Sequence, residues 1–239
     1  EDAEIERTAV YTFQSVVAKG WRKGRLLIAG DAAHQTPPFI GQGMCAGMRD
    51  CANLAWKLER VLRGTSNDSL LDTYETERWP NVHAFIELAV RVGAVIQAEG
   101  DAAKERDRQF RDGAPQLFSY PPSRLGPGAH DPDLPAGEIF PQPLLAYGRR
   151  LDDVTGEHFV VLGEAAVIEG AGPAARAAWQ AMDAKLLPDP GTQTLDWLRE
   201  REVRAVIVRP DRHVFGVARD AAGLAALSAR LAPLCHAAA

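Results

Sequence analysis

The sequence predicts an α/β fold in two parts, and three observations carry that prediction. First, a short apolar run, Arg25-Leu26-Leu27-Ile28-Ala29, ends at Gly30 and leads through a proline-rich loop into a long amphipathic helix. Second, residues 112–137 hold six prolines (115, 121, 122, 127, 132 and 135) and four glycines without periodicity, so a linker or long wrapping loop divides the chain there. Third, beyond that loop short apolar runs alternate with helical patterns, as in a small α/β domain. The expected division is 1–111, 112–137 and 138–239.

Each element has its own justification. Residues 5–13 alternate and are rich in Val, Thr, Tyr and Phe, so they read as a strand, the last of a sheet that begins before residue 1. The run 25–29 has strand length, and Gly30 tolerates close backbone approach. Helix 44–62 follows, with Met44, Met48, Cys51, Ala55, Leu58 and Leu62 at the three-and-four spacing of a buried stripe, and Arg49, Lys57 and Arg60 off it. After the 64–68 turn, Asp68 or Ser69 caps a second helical stretch, which Pro80 kinks or restarts. Val82, Phe85, Ile86, Ala89, Gly93 and Ile96 form its core stripe. In the second part, strands are expected at 159–162, 205–208 and 214–218, and helices at 174–187, 194–201 and 224–234.

Composition bounds the function. The 239 residues are 46% hydrophobic with a net charge of −5, which suits a globular chain and gives no basic field for nucleic acid. No stretch reaches the ~18 apolar residues that read as a membrane span. Cys45, Cys51 and Cys235 form no C-x-x-C pair, and Cys45 and Cys51 face different ways on one helix, so a reducing, cytoplasmic setting is expected. The histidines at 34, 83, 130, 158, 213 and 236 lack metal-ligand spacing, so no metal site is expected.

The chemistry concentrates in residues 30–58. Asp31 follows the strand end, where a carboxylate can accept hydrogen bonds from sugar or sugar-alcohol hydroxyls. Pro37 and Pro38 stiffen the loop and remove two N–H groups. Gly41-Gln42-Gly43 then turns it into the helix, whose first N–H groups and positive dipole end suit an anion. A Gly-Asp pair or a Gly-x-Gly alone means little; the ordered set is much more specific.

That block resembles the second flavin-binding motif of the single-component, FAD-dependent aromatic monooxygenases, nearest the 3-(3-hydroxyphenyl)propionate hydroxylase group of the phenol hydroxylase superfamily. Residues 9–13, 21–25 and 70–78 support the resemblance, which is strong over about residues 5–92 and looser at 205–211. It implies that Asp31 binds a ribitol hydroxyl of FAD and that Pro38 lies beside the reactive ring edge, with Gly30, Pro37, Gly41 and Gln42 as further cofactor-binding candidates. Gly43, Met44 and Cys45 would then offer backbone N–H groups to the pyrimidine. A helix N-terminus there would favour the anionic reduced ring by ~0.3–2 kcal/mol. Relatives usually carry Asn where Cys45 stands, so only a backbone role is assigned to it, and many carry a basic residue near Ser15-Val16. His34 is the substrate-side candidate, with loop stabilisation as its other reading. No acid or base is assigned.

The resemblance further implies hydroxylation of a small phenolic substrate with FAD, O₂ and NADH or NADPH, and a thioredoxin-like second domain, which without C-x-x-C would be structural or oligomerising. Family order puts the ADP-binding fingerprint ahead of residue 1, so the chain reads as a C-terminal portion, and self-association or the missing half is expected to cover its apolar surface. The copy at 170–175, Gly-Ala-Gly-Pro-Ala-Ala, lacks the second strand and acid that such a motif needs, since 187–192 reads as a turn. The alternatives are a polyketide or antibiotic hydroxylase of the same superfamily, or a non-catalytic assembly module with a relict flavin motif.

Overall fold

The computed structural model describes residues 6–113, 118–145 and 148–235; His236 lies outside them. It divides into two compact units, Glu1–Gly47 with Val82–Tyr120, and Met48–Asn81 with Pro121–Ala239.

In the first unit β1 (Val16–Val17) pairs antiparallel with β4 (His34–Gln35), and β2 (Arg22–Lys23) forms a hairpin with β3 (Leu26–Leu27). The hairpin is anchored by Trp21, which is buried and whose indole N–H donates to the Ala18 carbonyl at 3.2 Å. Two expectations are corrected here. Residues 6–13 form no strand and are exposed, because no other described segment offers them a ladder of N–H and C=O groups; Ile5 lies outside the described residues. The run 25–29 yields only a two-residue strand, with Leu26 exposed and Ile28 donating back to the Trp21 carbonyl at 3.0 Å.

Helices α1 (Gly43–Leu62) and α2 (Thr73–Ile96) each contribute residues to both units. Between them a 3₁₀ helix spans Asp68–Asp72 with Asn67, rather than Ser69 or Asp68, at its N-cap position. Pro80 sits inside α2 without ending it. The α2 stripe buries Val82, Phe85, Ile86, Ala89 and Gly93 as expected, whereas Ile96 at its end is exposed. Helix α3 (Gly100–Arg111) has no apolar stripe to announce it; it is exposed and laced by pairs such as Lys104–Asp101 and Arg108–Glu105.

The second unit is built on a four-stranded sheet in the order β6-β5-β7-β8. Strand β5 (Val160–Gly163) runs parallel to β6 (Lys185–Pro188) and antiparallel to β7 (Ala205–Val208), which pairs antiparallel with β8 (Val214–Ala218). Every residue of β5 and β7 is buried, which is why both read as continuous apolar runs. The short α4 (Leu151–Thr155) precedes the sheet; α5 (Ala165–Gly170), α6 (Gly172–Ala181), α7 (Thr192–Glu200) and α8 (Ala221–Ala229) complete the unit. One core face gathers Trp56, Phe159, Val161, Trp179, Ile207, Phe215 and Leu224; the other gathers Phe140, Leu151, Val160, Leu162, Leu198 and Val206.

The helix expected at 174–187 stops at Ala181, and the chain returns as strand β6. This strand is hard to see in the sequence because it has one partner only and is largely exposed. The Gly-x-Gly copy at 170–175 falls on the junction of α5 and α6, with Val167 and Ile168 helical, so it is not a strand-to-helix fingerprint. Residues 121–137 hold no helix or strand, yet they are pinned: Leu125, Ala129 and Ala136 are buried, and Asp131 and Gly137 donate to the carbonyls of Phe215 and Val214 at 2.8 Å.

Candidate functional site

The first unit holds a cleft of about 500 Å³ lined by Asp31, Gln35, Thr36, Pro38, Gly41, Gly43, Met44 and the exposed segment Tyr11 to Gln14. That is within the ~300–1,000 Å³ usual for small-molecule and cofactor sites. Five of the residues expected from sequence, Asp31, Pro38, Gly41, Gly43 and Met44, therefore meet on one surface.

Local geometry explains how. Gly30 adopts φ 57°, which turns the chain out of the hairpin into a 3₁₀ turn, Gly30–Ala32, and leaves the Asp31 carboxylate exposed. The turn abuts the start of α1 through backbone alone: a Cβ on Gly47 would lie 3.2 Å from the Gly30 Cα. Pro37 is extended (φ −55°, ψ 146°) and Pro38 opens a second 3₁₀ turn, Pro38–Ile40, which Gly41 closes at φ 61° with its N–H on the Pro38 carbonyl at 3.1 Å. Ala46 donates to the Gln42 carbonyl at 2.9 Å. The amides of Gly43, Met44 and Cys45 lie ahead of it, in the first helical turn, where no carbonyl one turn back can receive them. A Cβ on Gly41 or Gly43 would meet nothing within 4 Å, so a planar group could approach that backbone.

The remaining expected residues do not line this surface. His34 is buried, paired through β4, with its ring 5.5 Å from that of Trp21. Gly30, Pro37, Gln42 and Cys45 are neighbours in chain of the lining residues but do not themselves line the cleft. Cys45, Cys51 and Cys235 are free thiols, and among the described residues no group of His, Cys, Asp and Glu could hold a metal. The exposed carboxylate, the proline edge and the amides at the helix start together fit a flavin: one polyol acceptor, one hydrophobic ring neighbour and a donor set for the ring's carbonyl and N1 edge.

The sequence reading missed a second constellation, in the second unit. On α1 the expected face is reversed: Met48, Cys51, Ala55 and Leu62 are exposed and Leu58 half-buried, while Asp50, Asn53, Lys57 and Arg60 are buried. Glu77 serves two of these, Asn53 and Lys57. Its carboxylate accepts from Lys57 Nζ (2.8 Å), Asn53 Nδ2 (2.7 Å), the Ala129 N–H (2.6 Å) and both terminal nitrogens of Arg209 (2.8 and 3.0 Å). Arg209 also grips Asp211 at 2.6 and 3.1 Å, and its guanidinium lies 5.1 Å from the Trp56 ring centre. Two cations face two anions, all buried.

Burial pushes the Glu77 carboxyl up, but the charges of Arg209 and Lys57 outweigh it and hold it down at about 2. Burial pulls Lys57 down to about 8 against the opposing charge of Glu77. A neighbouring pair, Arg78 Nε on Asp50 Oδ1 at 2.9 Å, repeats the arrangement. The available signal was the placing of Arg209-Pro210-Asp211 at the end of the apolar run 205–208; Glu77-Arg78 lies in a polar stretch that gives none.

Residues 1–89 match the FAD binding domain family. Over 97% of its length the chain is 40% identical to a probable NADH-specific resorcinol 4-hydroxylase of Rhodococcus jostii, covering 47% of that protein. Over 86% it is 36% identical to a 3-(3-hydroxy-phenyl)propionate/3-hydroxycinnamic acid hydroxylase of Mycolicibacterium smegmatis, covering 40%. Among solved structures, the flavin-dependent monooxygenase PieE, in complex with FAD and substrate, superposes with a TM-score of 0.73 at 26% identity, over 94% of this chain and 50% of that one. Aklavinone-11 hydroxylase, in a ternary complex with FAD and aklavinone, gives 0.68 at 25%, over 91% and 45%.

The family match and the structural likeness thus place the chain in the FAD-binding-domain class of flavoproteins. Within it, the chain belongs to the FAD-dependent aromatic monooxygenases, and it spans about half the length of the curated relatives it matches.

Proposed function

We propose that this chain forms part of a monooxygenase that hydroxylates a small phenolic substrate using FAD, NADH or NADPH, and O₂. The observation that carries the reading is the convergence of Asp31, Pro38, Gly41, Gly43 and Met44 on one cleft at the start of a 20-residue helix. Bound flavin would supply the oxygen activation, which no side chain here can do. Asp31 would accept a ribitol hydroxyl, and Pro38 would flank the ring edge and exclude water from it. The amides of Gly43, Met44 and Cys45, with the helix dipole behind them, would favour negative charge on the pyrimidine. His34, packed on Trp21, would hold the loop rather than touch substrate. The sequence relatives of 36–40% identity, named for small phenols, favour such a substrate over the polycyclic one named for the 25% structural neighbour.

For residues 138–239 we infer a thioredoxin-like domain. What supports this is the element order β5-α5/α6-β6-α7-β7-β8-α8 with the sheet order β6-β5-β7-β8 and one parallel pair. It carries no C-x-x-C, so its role would be structural or oligomerising. No described helix is long and apolar enough to cross a membrane, and a cytoplasmic location is our reading.

The test is a visible absorption spectrum of the purified chain before and after incubation with FAD and removal of the excess. Retained flavin with perturbed bands is expected; a chain that never holds FAD, alone or with an excess present, would contradict the site.

A further inference from the structure

The flavin-facing loop has its shape fixed locally by Pro37, Pro38 and the left-handed Gly41, but those residues do not fix where the loop lies on the unit. Phe39, the loop's one aromatic, does. Its ring sits over Gly93 of α2: a Cβ at Gly93 would come within 2.4 Å of Phe39 Cε2 and 2.5 Å of Cδ2, and 3.1 Å of Cζ. Gly93 is buried in the helical stripe with Phe85, Ile86 and Ala89, where an alanine would add apolar surface and be the better helix former. Glycine therefore stands there for the space it leaves. Phe39 is flanked in the chain by Pro38 and, two residues on, Gly41, both of which line the cleft. A displaced ring would carry that wall with it.

We infer that Gly93 is a positioning residue of the cofactor site: the slot it leaves in α2 seats Phe39 and thereby sets the position of the Pro38–Gly41 wall. The inference rests on the reading of the loop as flavin-facing only for its consequence, not for the slot itself.

The test is a cycle of Gly93→Ala, Phe39→Ala and the double variant, read by amide hydrogen exchange of residues 39–44 and by FAD titration. Strand β5 provides the reference for exchange. Gly93→Ala in the parent chain is expected to speed exchange of the loop roughly tenfold and to weaken FAD binding about as much, the order that over-packing by one methyl produces, with β5 unchanged. In the Phe39→Ala background the same substitution should do neither. Equal effects in both backgrounds, or none in the parent, would overturn the slot. A Gly93→Ala chain that does not fold supports it if removal of the ring restores folding, and overturns it otherwise. If the parent takes up no FAD while exchange follows the cycle, the flavin reading fails and the slot stands; if FAD binds and neither readout responds to Gly93→Ala, the reverse holds.

Discussion

The loop around Asp31 and the charged cluster around Glu77 are fixed by opposite means. The loop takes its shape from backbone: two prolines, two left-handed glycines and turns closed by main-chain bonds, with its functional groups left facing solvent. The cluster is held by charged side chains, with backbone help from Ala129 only, and Glu77, Lys57, Arg209 and Asp211 are all at 0% exposure. The first arrangement leaves polar groups available to a ligand; the second leaves none. A site for binding keeps its donors unspent, whereas a buried charge must have every partner in place, because removing one leaves the other uncompensated in a low dielectric.

The largest effect should come from breaking the second arrangement. Glu77→Ala would strand Lys57 and Arg209 without their shared counter-charge and is expected to cost ~3–5 kcal/mol in urea denaturation. A loss under about 1 kcal/mol would show that the cluster relaxes or admits water. Acid should reveal the same dependence. The Glu77 pKa is lower in the folded chain, at about 2, than its ordinary 4.5. Its contribution is therefore complete above 4.5 and is lost as the pH falls toward 2. That loss should reach ~3 kcal/mol in the parent protein and vanish from a Glu77→Gln variant measured over the same range. Parallel acid profiles for the two would remove Glu77 from the account.

On the loop, Asp31→Ala should leave stability nearly untouched and weaken FAD retention by ~10- to 100-fold, the size of one hydrogen bond to a carboxylate. Asp72→Ala, exposed at the end of the 3₁₀ helix, is the control; equal retention by the two would take Asp31 out of the site. The smallest effect is expected at Lys104, whose ion pair with Asp101 on α3 is almost fully exposed. Lys104→Ala should leave the denaturation midpoint unmoved, so that burial rather than charge pairing accounts for the cost at Glu77.

The contrast also explains what could be read early. The loop was legible because prolines and glycines constrain their own φ and ψ, and Asp31, Pro38, Gly41, Gly43 and Met44 lie within fourteen consecutive residues. Helices α1 and α2 and strands β5, β7 and β8 were legible from periodicity and apolar runs. The buried face of α1 was not. Its apolar stripe at Met48, Cys51, Ala55 and Leu62 predicts the reverse of what is found, since the partners of Lys57 and Asn53 are Glu77 and Asp211, up to 158 positions away. Strand β6 and helix α3 were missed for a related reason: one takes its identity from a single neighbouring strand, and the other has no buried face at all.

The sequence by itself determined the turns, the helix that presents its amides to the cleft, and the family these residues belong to, because each rests on conformational preferences within a few neighbouring residues. Tertiary structure alone decided which face of α1 is buried, that Arg209 and Lys57 share one carboxylate, and that Phe39 finds its slot at Gly93. Those outcomes depend on desolvation and on free volume, and both are set by atoms brought together from distant parts of the chain.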